Sequence, residues 1–124
     1  MKQLETIQRH ENLNRVYRVS EPGPGGACHD YYIYKAVPAP EEQPRIVASI
    51  EFQKGPRKDP SARHGVLDSD LLEIVRDRLL AFSNGEMTDV HTERALSHVE
   101  AALFHLNQRV EDRIARGVLG TMEK

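Results

Sequence analysis

Residues 90–117 read VHTERALSHVEAALFHLNQRVEDRIARG. Leu96, Val99, Leu103, Leu106 and Val110 recur three and four positions apart, the spacing of an apolar stripe on an α-helix. Thr88 or Asp89 can cap the first turn. Gly117 stops the helix after about Arg116. Such a run of about 27 residues makes a rod about 40 Å long at 1.5 Å per residue. The alternation of three and four is that of a coiled-coil seam, so the rod needs a partner along its stripe.

The nearest partner lies just upstream. Leu71, Leu72, Val75, Leu79 and Phe82 follow helical spacing, with Asp68 or Ser69 as the expected cap. Asn84-Gly85 ends this helix, Gly85 being suited to the left-handed C-terminal position. A connection this short makes the two helices antiparallel. The second outruns the first, and its overhang points to association between subunits.

Upstream of residue 65 the character changes. All seven prolines lie between Pro22 and Pro60, among short runs of β-type pattern. Residues 1–14 are polar and suggest a short frayed helix or no element. Residues 15–20 (RVYRVS) and 30–37 (DYYIYKAV) read as strands. In residues 45–53 (RIVASIEFQ), Ile46, Ala48, Ile50 and Phe52 alternate with Val47, Ser49, Glu51 and Gln53, the signature of a half-buried antiparallel strand. Residues 21–27 (EPGPGGA) are a loop, and residues 38–44 (PAPEEQP) have the length of a hairpin connection. The expectation is an oligomeric α+β fold in one domain spanning 1–124. A small antiparallel sheet of about three strands (about 15–53) precedes an antiparallel two-helix hairpin (about 68–116).

Composition narrows function by exclusion. The chain has 124 residues, enough for one domain. No apolar run approaches the ~20 residues of a membrane span, and the N-terminus has no apolar core of a secretory signal. Cys28 is the single cysteine, so no internal disulfide can form, and the thiol reads as incidental. The net charge of −2 argues against general DNA or RNA binding. A small anion remains open, because it needs only a few placed arginines.

Arg109, Arg113 and Arg116 supply such a set. They sit at i, i+4 and i+7, on one helix face. Cations at a helix C-terminus also complement its dipole, and Glu111 and Asp112 could pair with them. Arg113, however, falls where the seam calls for an apolar residue, and a guanidinium there needs a counter-anion. Lys54, Arg57, Lys58 and Arg63 form a second basic cluster in the loop before the first helix. Phe82 could stack on a base or simply pack. His91, His98 and His105 are spaced about 10 Å apart along the axis, too far to share one metal ion. No catalytic motif and no cofactor or metal site is expected.

The stretches GVLDSDLLEIVRDRLLAFSNG (65–85) and ERALSHVEAALFHLNQRVEDRIARGVLGT (93–121) resemble the Thoeris anti-defence sponges of phages, of the first type. The shared pattern is DLL, here Asp70-Leu71-Leu72, then RL-x-x-F-x-NG, here Arg78-Leu79, Phe82 and Asn84-Gly85. It closes with R-x-x-DR-x-ARGV-x-GT, here Arg109 to Thr121. The strand and turn ASIEFQKGP (48–56) also fit, and the likeness runs over about 45–121. It implies a protein that sequesters glycocyclic ADP-ribose without cleaving it, in the cytoplasm of an infected bacterium. It further implies a homo-oligomer built from dimers, a hexamer in some members, with separate cyclic-oligonucleotide sites in some. Arg109 and Arg113 become diphosphate ligands, Phe82 the base-stacking residue and Arg57 a further phosphate contact. Thr92 stands where many relatives have Asn, keeping a hydroxyl but losing the amide's paired donor and acceptor. An enzyme acting on a cyclic nucleotide and a purely structural oligomer are the alternatives.

Overall fold

The computed structural model describes residues 1–36, 43 and 45–124. The expected hairpin connection and the end of the second expected strand, at Val37, lie outside the described residues. The chain forms two compact units, Met1–Gly55 with Ser61–Gly65, and Pro56–Pro60 with Val66–Lys124.

The first unit is an antiparallel sheet of four strands, β1 (Lys2–Gln3), β2 (Asn14–Arg18), β3 (Asp30–Lys35) and β4 (Ile46–Glu51), each beside the next in sequence. Val16, Ile33 and Ala48 stand in register across the three long strands, and Arg18, Tyr31 and Ile50 do the same. Successive side chains alternate between faces, so Tyr17, Tyr32 and Tyr34 project from the opposite side. There the Tyr17 and Tyr34 rings meet edge-on at 5.4 Å, and those of Tyr32 and Tyr34 at 5.9 Å. The polarity of the first residues suggests a frayed helix or no element, and the structure corrects this: Lys2–Gln3 form a short strand. Lys2 and Gln3 pair with Arg18 and Tyr17, supplying backbone partners to the outer edge of β2. Register slips between Ile33 and Tyr34, which faces Ile46 rather than Val47. Ile46 is consequently exposed, while Ala48, Ile50 and Phe52 are half-buried as their alternation implies.

The segment Ser61–Gly65 closes this unit. Lys54 and Arg63 exchange two backbone hydrogen bonds of 3.0 and 2.9 Å. Arg63 Nη1 donates to Asp30 Oδ1 at 2.8 Å, and Nη2 donates to the carbonyls of His29 (3.2 Å) and Phe52 (3.0 Å). Gly65 permits this approach, since a Cβ there would lie 2.5 Å from the Glu51 carbonyl oxygen. Cys28 is 7% exposed. Its thiol donates to the Asp30 carbonyl at 3.1 Å and lies 3.2 Å from Ser20 Oγ, so the residue is a packed part of the sheet.

The second unit is the helical hairpin, α1 (Asp68–Ser83) and α2 (Val90–Ala115). Arg76 Nε donates to Glu100 Oε2 at 2.9 Å midway along the pair. The residue before α1 is Leu67, not Asp68 or Ser69 as expected. Leu67 has no side-chain acceptor; instead Asp70 reaches back and accepts the Leu67 N–H at 2.8 Å, half of a capping box. Gly85 does not take the left-handed conformation expected of it. Tight bonds from Asn84 N–H to Ala81 O (3.3 Å) and Gly85 N–H to Phe82 O (3.1 Å) close α1 without a reversal in φ.

Asp89 caps α2, accepting the Thr92 N–H at 2.9 Å. At the other end Gly117 is left-handed, with φ +72°. Val118 N–H then bonds Arg113 O (2.9 Å) and Gly117 N–H bonds Ile114 O (3.0 Å), a complete Schellman closure. Packing between the helices is thin. Phe82 and Phe104 are 51% and 60% exposed, and Ile74, Val75 and Ile114 are exposed as well. Val75 thus leaves the half-buried stripe in which its spacing placed it.

Candidate functional site

The Schellman turn decides where the arginines of α2 go. By folding the chain back after Ala115, it brings the carbonyls of Val118 and Thr121 over the last turns of the helix. Arg113 Nη2 donates to both, at 3.0 and 3.1 Å, and the residue is only 8% exposed. Among the described residues, Arg113 thus meets main-chain carbonyl dipoles and no carboxylate. Arg116 turns away to Asp112, at 3.0 Å, and to the Lys124 carbonyl. The row of three arginines is split by these bonds.

Arg113 lines a cleft of about 420 Å³ between the last turns of α2 and the start of α1. Arg109 and Arg57 line it too. Arg57 arrives on the segment Pro56–Pro60, held by Lys58 N–H to Gly120 O at 3.2 Å. Gly120 has φ +79°, and a Cβ on it would come within 2.6 Å of Arg57 Cγ; only glycine leaves room for the Arg57 stem. Three of the expected ligand residues are thus gathered in one cleft. Neither Arg57 nor Arg109 makes a side-chain hydrogen bond or ion pair among the described residues.

The other two lie at the far end of the hairpin. Phe82 is in the last turn of α1, with the Arg78 guanidinium carbon 5.2 Å from its ring centre. Thr92 is in the first turn of α2, and its hydroxyl donates to Asp89 Oδ1 at 3.3 Å. The Thr92 backbone N–H holds the Asp89 carboxyl below its ordinary pKa. Thr92 and Arg109 are separated by about 25 Å along α2 at 1.5 Å per residue. One compact nucleotide on a single hairpin therefore cannot touch both groups.

Of the second basic cluster, Lys54 and Arg63 belong to the sheet unit, where the two terminal nitrogens of Arg63 hold strands together while its buried Nε has no partner among the described residues. His91, His98 and His105 are exposed on α2. Among the described residues no group of three metal-ligating side chains is close enough to hold an ion. No helix among the described residues is long and apolar enough to cross a membrane.

The cleft also contains carboxylates that pattern reading passed over. Asp68, Asp70 and Glu73, from the first turns of α1, line it. The available signal was topological: an antiparallel hairpin brings the acidic start of α1 beside the basic end of α2.

Over 78 residues, 63% of its length, the chain is 40% identical to Thoeris anti-defense 1 of Bacillus phage SBSphiJ7. The chain spans about half, 54%, of that protein's length in this match. No family model matches the chain.

Proposed function

We propose that this chain, like the phage protein it is similar to, acts against the Thoeris defence of bacteria. In this reading it binds a TIR-derived glycocyclic ADP-ribose in the cytoplasm of the infected host and withholds it, intact, from the defence effector. The observation that carries the reading is the placement of Arg57, Arg109 and Arg113 on one 420 Å³ cleft, two of them without a protein partner among the described residues. Forked guanidinium donors suit adjacent phosphates.

The separation of Phe82 and Thr92 from the arginines supports an oligomeric site. A second hairpin laid antiparallel would bring its Phe82 ring and its Thr92 to the first hairpin's cleft, so that base and diphosphate are held by different copies. The exposed Ile74, Phe104 and Ile114 are apolar surface available for such pairing. The assembly proposed is a homo-oligomer built from dimers, up to a hexamer, with room for cyclic oligonucleotides at separate sites. Sequestration requires tight binding and slow release, so the reading assigns no catalytic residue.

Titration calorimetry tests it, with glycocyclic and N1-linked cyclic ADP-ribose and cyclic oligonucleotides against the purified chain. Wild type is expected to bind a glycocyclic isomer tightly and to release it unchanged on heating. Arg109→Ala should weaken binding by about 10- to 100-fold, the value of hydrogen bonds to a charged group. Arg109 is the better probe, because Arg113→Ala also breaks the C-terminal turn. Absence of binding across the panel would overturn the reading. Turnover of the signal by substoichiometric protein would instead establish an enzyme. Loss of assembly in Arg109→Ala with no nucleotide effect would leave a structural oligomer.

A further inference from the structure

The cleft is not a plain anion site, because carboxylates line it beside the arginines. Two of these are engaged. Asp70 accepts the Leu67 N–H, and Glu73 accepts from Arg76 at 3.4 Å. Asp68 is different: it lines the cleft, is exposed, and makes no side-chain hydrogen bond or ion pair among the described residues. A free carboxylate and the free Arg109 guanidinium thus share one cleft without pairing with each other. A ligand that is only phosphate gains from the arginine and is repelled by the carboxylate. A ligand that offers hydroxyl donors beside its phosphates satisfies both.

We infer that Asp68 is the sugar-recognising residue of this cleft, accepting hydroxyl protons of a ribose whose phosphates lie on Arg57 and Arg109, and that it discriminates against bare polyphosphates. A carboxylate is the acceptor for this task, since its two oxygens can take both hydroxyls of a vicinal diol, with hydrogen bonds strengthened by its charge. Its place in the first turn of a 16-residue helix is one where the helix dipole favours a negative side chain. This inference rests on the phosphate reading of the arginines.

The experiment compares two probes, glycocyclic ADP-ribose and inorganic diphosphate, on wild type, Asp68→Asn, Asp68→Ala and Arg109→Ala by calorimetry. Helicity and unfolding midpoint are measured for each variant. The expected result is a crossing. Both Asp68 variants bind the nucleotide about 10-fold more weakly and bind diphosphate as tightly as wild type or several-fold more tightly. Equal weakening toward both probes means that Asp68 acts only through the helix, and overturns the inference. Unchanged nucleotide affinity in both variants overturns it too. If Arg109→Ala retains full affinity for both probes, or wild type binds neither, the phosphate reading itself fails and the sugar assignment with it.

Discussion

Arg63 and Arg113 show how little a residue's type says about its task. Both stand among other arginines in basic stretches, and both spend donors on main-chain carbonyls, His29 and Phe52 for Arg63, Val118 and Thr121 for Arg113. Arg109, one turn before Arg113, makes no side-chain hydrogen bond or ion pair among the described residues, and the proposed reading gives its donors to a ligand. Nothing local distinguishes the three; the path of the chain after each one does. Arg63→Ala should cost the sheet about 2 kcal/mol, the worth of a hydrogen-bonded charge, read as a lower urea midpoint. Acid sensitivity tests the same contact. Burial alone would push the Asp30 carboxyl up, but the Ser20 and Arg63 hydrogen bonds and the Arg63 charge hold it below its ordinary pKa. The folded carboxyl therefore binds a proton more weakly than the unfolded one. Its contribution is complete above the unfolded value of about 4 and is lost as pH falls through the lower folded value. Urea unfolding between pH 7 and 3 should show this decline in wild type and a shallower one in Asp30→Asn.

At the scale of elements, the helices were legible because periodicity over many turns averages out local ambiguity. Their stripes, the Asp89 cap and the Gly117 stop all follow from spacing and side-chain type. Asp89→Ala should lower the unfolding midpoint by an amount equivalent to about 1 kcal/mol, with helicity by circular dichroism reporting the loss at the start of α2. α1 begins at Asp68 as expected, but its cap does not come from Asp68 or Ser69, because the acceptor is a backward reach by Asp70 that only the folded geometry selects. β1 was missed for another reason. Two residues carry no period, and their strand exists only because β2 offers an unpaired edge. The slip opposite Ile46 is likewise a property of two strands together and is written in neither alone.

For the whole molecule, the decisive fact is how little is buried. Among the described residues only Cys28 and Arg113 are buried, while Phe82, Phe104, Ile74 and Ile114 stand exposed. Such side chains are apolar surface for a second copy, and light scattering after gel filtration should give a mass of at least twice 14.1 kDa. A monomer at micromolar concentration would contradict the two-copy site. The α+β class, the order of sheet and hairpin, and the arginines and Phe82 as residues to watch all follow from local pattern, since period, capping and turn chemistry act over a few neighbouring residues. The division of labour among those arginines, the gathering of Arg57 with Arg109 beside Asp68, and the 25 Å that part them from Phe82 follow only from tertiary structure, because each depends on segments far apart in the chain being folded against one another.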